Sequence, residues 1–162
     1  MARTAKTPDS PRPPPRLRRA YYDCRYGQLH LHNAIPSGGG FDELTSVLCV
    51  HGSQETARAF LPVLAVLGLE RSVYAPDLPG YGESDPPTEQ STADSRIESG
   101  VNALADFLDS MRIRSVDLVA RGDGAEIAQR LAQQRGAGVR KVVVVSAGDA
   151  ARADLPQSLL AS

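Results

Sequence analysis

Residues 119–125 read Val119-Ala120-Arg121-Gly122-Asp123-Gly124-Ala125 and predict a sharp turn between a β-strand and an α-helix. Apolar residues precede the turn, and apolar residues at helical spacing follow it. A catalytic turn of this kind needs small residues two positions before and two positions after the reacting side chain, because the strand folds back onto its helix in van der Waals contact. Ala120 and Gly124 meet this requirement if the reacting position is 122. The sequence therefore predicts a catalytic turn that carries a glycine, Gly122, in place of its nucleophile.

The neighbouring carboxylate of Asp123 is the alternative nucleophile in this turn. Shifting the pattern by one residue to give Asp123 that role places Arg121 where no side chain fits. A carboxylate at the start of a helix is also stabilised by the helix dipole, which accounts for an acidic residue here without catalysis. We therefore identify no catalytic residue at this turn.

Strands alternate with helices along the rest of the chain. Apolar and β-branched runs predict strands at 21–26, 28–35, 44–50, 72–75, 116–119 and 139–146. Helical periodicity predicts helices at 57–68 and 92–111, and a third helix directly after the turn. The first two strands form an antiparallel hairpin through Gly27, and the runs 44–50 and 139–146 are apolar enough to be buried on both faces. This order predicts an α/β fold with a mostly parallel, doubly wound sheet of about six strands.

Composition restricts the domain organisation and the partners. The chain has 162 residues, of which 41% are hydrophobic, and this suits one folded domain. Residues 1–19 are rich in proline and arginine, so we expect a disordered tail followed by a single domain at 20–162. The formal net charge is -1, whereas binding to nucleic acid or to an anionic membrane surface requires a basic excess. We therefore expect neither partner.

Cysteine content and hydropathy indicate the compartment. The two cysteines, Cys24 and Cys49, lie in strand-like runs, which argues against a disulfide framework or a metal cluster and favours free thiols in a reducing cytosol. The sequence has no apolar run of about 18 residues, the length that is needed to span a bilayer. We expect a cytoplasmic protein that uses no metal and no cofactor.

Two further motifs stand at the ends of predicted strands. The third strand closes on Val50-His51-Gly52, and the fourth is followed by Ala75-Pro76-Asp77-Leu78-Pro79-Gly80-Tyr81-Gly82-Glu83-Ser84. Together with the turn at 119–125, these motifs have the order and the spacing of one family. From about Arg19 to Ala147 the chain resembles the N-terminal half of an α/β-hydrolase, with a degenerate nucleophile elbow at the turn.

The resemblance implies roles for backbone groups near the elbow. In α/β-hydrolases the loop after the third strand and the residue after the nucleophile each donate one backbone N–H to an oxyanion hole. These positions are Ser53 and Asp123 in this sequence, and Gly52 belongs to the same loop motif. The ring of His51 is expected to brace this loop rather than to transfer protons.

The same resemblance implies that the catalytic set is incomplete. The family places its acid and its histidine after the nucleophile in the chain, whereas the histidines here, His30, His32 and His51, all precede the elbow. The sequence stops at Ser162, shortly after its sixth strand. We therefore expect a truncated and catalytically inactive relative of esterases and epoxide hydrolases.

Two other functions remain open. The scaffold can serve as an interaction or small-molecule-binding module, in which the exposed edge of the sixth strand, 139–146, pairs with another copy or with a protein partner. Alternatively, the chain is the N-terminal half of a split hydrolase, whose second chain supplies the acid, the histidine and the lid. The glycine at position 122 counts against the split enzyme, because a partner cannot readily replace a side chain on the elbow.

Overall fold

The computed structural model describes residues 11–38, 44–87 and 92–146, which contribute to one six-stranded sheet. The strands are β1 (Arg16–Cys24), β2 (Gly27–Ile35), β3 (Ser46–Val50), β4 (Val73–Pro76), β5 (Val116–Arg121) and β6 (Val139–Val145). Their order across the sheet is β1-β2-β4-β3-β5-β6. The β1–β2 and β2–β4 neighbours are antiparallel, and the others are parallel. The predicted mostly parallel sheet with an antiparallel hairpin at one edge is confirmed.

Helices cover both faces of the sheet. They are α1 (Leu61–Leu67), which continues a 3₁₀ turn at Ala57–Phe60, α2 (Ala93–Ser110) and α3 (Gly124–Arg135). Leu48 of β3 belongs to the apolar cluster that contains residues of α2 and α3, whereas the next residue, Cys49, belongs to the cluster of α1. Because successive side chains of β3 are buried on opposite faces, the sheet is doubly wound, as predicted.

The longest helix, α2, begins at a capping box. The Thr92 side chain accepts a hydrogen bond from the Ser95 N–H, and the Ser95 side chain accepts one from the Thr92 N–H in return. Val101, Leu104 and Leu108 then bury one face of the helix at intervals of three and four. Nowhere in the described ranges is a helix both long and apolar enough to cross a membrane.

The sixth strand is half exposed, so the prediction that residues 139–146 are buried on both faces is wrong. Val142 is 36% exposed and Val144 is 54% exposed. Val142 pairs with Leu118 of β5 and lies on the same face of the sheet. The helices α2 and α3 cover this face over the inner strands. Among the described strands, β6 pairs with β5 alone. The apolar composition did not reveal this exposure, because the burial of an edge strand depends on what packs beyond it.

The first strand begins at Arg16, so the expected boundary between tail and domain, at residues 19 and 20, falls inside it. Arg16 pairs with Ile35, and the ladder continues to the Cys24–Gly27 pair that closes the hairpin. The arginine side chains of this segment are exposed. Pairing with β2 therefore satisfies the backbone of an arginine-rich segment without burying its charges. Residues 1–10 lie outside the described residues.

A buried carboxylate fastens β6 to β5. Asp117 is fully buried, and the Arg140 guanidinium donates two hydrogen bonds to it, at 2.9 Å from Nε to Oδ1 and 2.5 Å from Nη2 to Oδ2. Nη1 of Arg71, whose side chain is 7% exposed, lies 3.6 Å from the same Oδ2. Two arginines therefore share one carboxylate at this end of the sheet, and it offsets the charge of the buried Arg71.

Candidate active site

The turn between β5 and α3 leaves position 122 without a side chain. Gly122 has a φ of +54°, a left-handed conformation that glycine adopts freely and that strains other residues. Among the described residues beyond its chain neighbours, a Cβ atom built on Gly122 would have only the Cα atom of Gly52 within 4 Å, at 3.9 Å. The turn therefore has the backbone and the open space of a nucleophile position, but it presents no reacting group.

Gly124 is the point at which the helix touches the sheet. A Cβ atom on Gly124 would lie 2.5 Å from the carbonyl oxygen of His51 and 2.7 Å from that of Val50. On the other side of the turn, Ala120 is fully buried and pairs with Val50 in the β3–β5 ladder. These contacts are the physical reason for small residues on both sides of position 122.

His51 holds two loops together. Its side chain is fully buried; Nδ1 donates to the carbonyl oxygen of Gly52 at 2.8 Å, and Nε2 accepts from the backbone N–H of Leu78 at 2.9 Å. This arrangement requires the neutral imidazole, and burial lowers the pKa of His51 in the same sense. Because both ring nitrogens are engaged, His51 braces the loops after β3 and β4 and is not placed to accept a proton.

Asp77 braces the loop after β4. Its Oδ1 accepts from the backbone N–H of Ala57 at 2.8 Å, and its Oδ2 accepts from that of Glu83 at 3.1 Å. Nδ1 of His30 lies 2.9 Å from the same Oδ2. Gly82 leaves room for this carboxylate, since a Cβ atom there would collide with it. The motif after β4 is thus a frame for the site rather than a set of reacting groups.

The loop after β3 and the start of α3 meet at a hydrogen bond. The backbone N–H of Ser53 donates to Oδ1 of Asp123 at 2.6 Å. A hydrogen bond from the Ser53 side chain and, to a smaller extent, this one from its backbone lower the pKa of Asp123, because they stabilise the ionised carboxylate. A Cβ atom on Gly52 would lie 2.9 Å from Oδ1, so glycine permits the approach. The structure brings together the two residues expected at the oxyanion hole, but a carboxylate of the chain itself occupies the Ser53 donor.

A shallow cleft of about 60 Å³ opens beside this hydrogen bond. Its walls include Tyr81 from the loop after β4 and Arg96 and Ile97 from α2. The charge of Arg96 also favours the ionised form of Asp123. Pockets that enclose a small molecule measure about 300–1,000 Å³, so the cleft that the described residues form is too small to enclose one.

Sequence reasoning missed two charged features of this site. One is Arg96 on the wall of the cleft, and the other is the ion pair between Arg121 and Glu55, at 2.6 Å. The spacing of these residues gives no sign of the contacts, because they depend on how α2 and the loop after β3 pack around the elbow. Within the described ranges, no group of three or more His, Cys, Asp or Glu side chains is arranged to hold a metal ion.

A known family matches most of this fold. Residues 47–161 match the family model described as the alpha/beta hydrolase family. The chain belongs to the alpha/beta hydrolase family. The resemblance inferred from the three motifs is thereby confirmed. In alpha/beta hydrolases the residue at the centre of the elbow is the nucleophile, so Gly122 is a departure from the family pattern.

The chain is also similar in sequence to a bacterial hydrolase. The chain is 33% identical over 121 residues to a 2-hydroxymuconate semialdehyde hydrolase of Pseudomonas sp. (strain CF600). That alignment covers 72% of this chain and 40% of the relative. The chain therefore spans less than half the length of this alpha/beta hydrolase.

Solved structures of alpha/beta hydrolases share the fold. An epoxide hydrolase from Vigna radiata superposes with a TM-score of 0.67 at 23% identity, over 79% of this chain and 39% of the other. A serine hydrolase from Cycloclasticus zankles superposes with a TM-score of 0.70 at 22% identity, over 79% of this chain and 44% of the other. These matches establish the fold. The chain spans less than half the length of each of these two proteins.

Proposed function

We propose that the elbow of this alpha/beta hydrolase carries out no hydrolysis and that the chain uses the scaffold without turnover. The observation that carries the proposal is Gly122 at the centre of the elbow. Hydrolysis through an elbow begins when an oxygen, sulfur or carboxylate side chain attacks the substrate. Glycine offers none of these groups, although its backbone retains the conformation of the turn.

Asp123 is a poor substitute for the missing nucleophile. Its Oδ1 atom already accepts the Ser53 N–H at 2.6 Å. Hydrogen bonds from the side chain and then from the backbone of Ser53 lower the pKa of the carboxyl, so the negative charge is stabilised and less reactive. Attack by this carboxylate would also break the contact between the elbow and the loop after β3.

The histidines of the chain are not placed to activate a nucleophile at the elbow. His51, which lines the cleft, has both ring nitrogens hydrogen-bonded. His30 and His32 lie on β2, which β4 and β3 separate from β5. Three strand spacings of about 4.8 Å put them roughly 14 Å from β5, whereas a general base must lie about 3 Å from the proton that it accepts.

Assays of ester and epoxide hydrolysis test the proposal. We expect the purified chain to convert p-nitrophenyl acetate and styrene oxide no faster than a heat-inactivated sample, because loss of the nucleophile lowers kcat by about 10⁶-fold in a serine hydrolase. The hydrolysis rate of Gly122→Ser should stay at the same background, since no histidine is positioned to activate the new hydroxyl. Gly122→Ala is the matched control, because it imposes the same backbone strain without a hydroxyl.

Two outcomes would contradict inactivity. The first is turnover that co-purifies with the chain; its loss in Asp123→Asn would identify Asp123 as the nucleophile. The second is turnover gained by Gly122→Ser and not by Gly122→Ala, which would mean that an activating base lies within reach of the elbow.

A second candidate function is self-association through β6, and the exposed valines of that strand favour it. The opposite edge of the sheet, β1, carries exposed arginines that oppose strand pairing, whereas residues 142–145 are all valine. Antiparallel pairing about Val143 would set Val142 of one copy opposite Val144 of the other. It would also keep Arg140 of one copy away from Arg140 of the other, where like charges would repel. The partner that we propose is therefore a second copy of this chain.

Val144→Lys tests this association by sedimentation velocity. We expect the wild-type chain to dimerise at tens of micromolar and the variant to dimerise about tenfold more weakly, because a two-fold pair loses two valine contacts of up to about 1 kcal/mol each. Leu17→Lys is the matched control, since Leu17 is 53% exposed on the opposite edge of the sheet. A wild-type monomer at these concentrations, or equal weakening by both substitutions, would rule out pairing through β6.

A third candidate is that a second chain supplies the rest of the hydrolase fold. The partial coverage favours it, since the chain spans 40% of the Pseudomonas hydrolase. Gly122 counts against it, because the nucleophile position belongs to this chain and not to the partner. Addition of such a partner should therefore produce no turnover unless position 122 is changed as well.

The cytosol is the compartment that we propose for this chain. Support comes from its two cysteines, which are both free thiols in the structure. Cys49 is buried, and burial raises the pKa of its thiol, which keeps it protonated and unreactive. Free thiols that persist in this way are typical of reducing compartments.

A further inference from the structure

We propose that Asp123 closes the oxyanion hole of this chain by acting as its resident anion, so that removal of the carboxylate frees the Ser53 N–H for an external oxyanion. The oxyanion hole here is the space next to Gly122 that the backbone N–H groups of Ser53 and Asp123 border. The proposal goes beyond the absence of turnover, because it concerns binding at Ser53 and holds whether or not the elbow reacts.

The contact is short, and its acceptor is charged. Oδ1 of Asp123 lies 2.6 Å from the backbone nitrogen of Ser53, and a hydrogen bond to an ionised group is roughly twice as strong as one between neutral groups. The two residues stand 70 positions apart in the sequence. An external oxyanion would have to displace this internal carboxylate before it reached the donor.

Asp123 makes this contact in preference to a local one. It occupies the N-cap position of α3, where aspartate usually accepts a hydrogen bond from a backbone N–H two or three residues farther on. No such bond forms; the N–H groups of Ala125 and Glu126 instead donate to the backbone carbonyl oxygens of Gly122 and Asp123. The carboxylate is thus directed to the loop after β3 rather than to its own helix.

The charged groups around the cleft favour an anion at this point. Arg96 lies on the cleft wall, and its charge favours the ionised carboxylate of Asp123. Glu55 is paired with Arg121 at 2.6 Å, which offsets its negative charge. His51 is held neutral by its two hydrogen bonds. An external carboxylate would meet the same surroundings once that of Asp123 is removed.

Space is available for an external group. Position 122 has no side chain, and within the described part of the chain a Cβ atom there would approach only the Cα atom of Gly52, at 3.9 Å. The neighbouring cleft contributes about 60 Å³, and the Asp123 side chain lines it. Removal of that side chain enlarges the cleft at the Ser53 donor. Acetate carries the same carboxylate group as Asp123 and is therefore the probe of choice.

Nuclear magnetic resonance of the Ser53 amide tests the proposal. In the wild-type chain the amide proton should lie downfield and should not respond to acetate. Because the pKa of Asp123 is lowered, the contact should persist at about pH 4, the ordinary value for aspartate, and be lost only in stronger acid. In Asp123→Ala the amide proton should start upfield and move downfield saturably as acetate is added.

Two further variants complete the experiment. Glu126→Gln removes a charge from the first turn of α3 without touching Ser53 and should behave as the wild type. Asp123→Asn keeps the shape of the side chain without its charge and should also shift the amide upfield. The proposal fails if the chemical shift of the Ser53 amide proton is the same in both Asp123 variants as in the wild type. It also fails if acetate shifts this proton equally in the wild type and in Asp123→Ala, or shifts it in neither. If neither variant folds, the pH titration of the wild-type chain tests the proposal. The chemical shift of the Ser53 amide should then change with the protonation of a carboxyl whose pKa is lowered. If the shift does not change in this way, Asp123 does not close the oxyanion hole.

Discussion

Gly124→Ala is expected to lower the free energy of unfolding by about 3 kcal/mol, the upper end of the usual cost of overpacking. The added Cβ atom would lie 2.5 Å from the carbonyl oxygen of His51 and 2.7 Å from that of Val50. Both are backbone atoms, so they cannot move aside as a flexible side chain would. Helix propensity acts in the opposite direction, since alanine is favoured over glycine by about 1 kcal/mol. The steric conflict exceeds that gain.

Urea denaturation followed by circular dichroism measures the change. Gly38→Ala is the control, because a Cβ atom on Gly38 would have no atom of the described residues within 4 Å beyond its chain neighbours. Its effect should stay within about 0.5 kcal/mol. If Gly124→Ala proved as stable as Gly38→Ala, α3 would be free to move away from β3, and the close approach at the elbow would not be a requirement of the fold.

The sharp turn is therefore a packing requirement that does not depend on catalysis. Gly124 touches the backbone of β3, and Ala120 is buried in the sheet. Position 122 differs from both, since the nearest atom of the described residues, beyond its chain neighbours, would be 3.9 Å from an added Cβ. A side chain there contributes little to packing. Glycine can thus stand at the nucleophile position while the small residues around it preserve the elbow.

Most of the sheet could be predicted because its signals are local in the sequence. The apolar run at 44–50 is realised as β3, Ser46–Val50, and the run that precedes the elbow is realised as β5, Val116–Arg121. Each run is long enough to cross the core and is bounded by turn-forming residues. The boundaries shift by one or two residues because hydrogen bonds to neighbouring strands, rather than composition, set the ends of a strand.

The features that sequence reasoning missed depend on contacts between distant segments. β1 extends back to Arg16 because β2 offers a ladder partner as far as Ile35, although the arginine-rich composition favours disorder. At the site, the resemblance to α/β-hydrolases placed Ser53 and Asp123 at one oxyanion hole, but the direction of the Asp123 carboxylate is set by the fold of the loop after β3.

Asp117→Ala is expected to destabilise the chain by about 3–5 kcal/mol, the usual cost of removing one partner from a buried ion pair. Asp117 is fully buried, and it accepts two hydrogen bonds from Arg140 and lies 3.6 Å from Arg71. Neither guanidinium can give up its charge, because arginine stays protonated in proteins. The variant would therefore leave the buried guanidinium of Arg71 without this carboxylate, whereas Arg140, whose side chain is 31% exposed, remains partly hydrated.

The exposed ion pair between Asp109 and Arg135 supplies the control for Asp117. Its distance, 2.9 Å, matches that of a good ion pair, but the Asp109 side chain is 69% exposed, so Asp109→Ala should cost no more than about 1 kcal/mol. Because Arg140 anchors β6 to β5 through Asp117, hydrogen exchange of the β6 amides should accelerate in Asp117→Ala and not in Asp109→Ala. Equal losses of stability in the two variants would mean that Arg140 and Arg71 find other compensation, and that β6 is held by its backbone ladder rather than by this buried carboxylate.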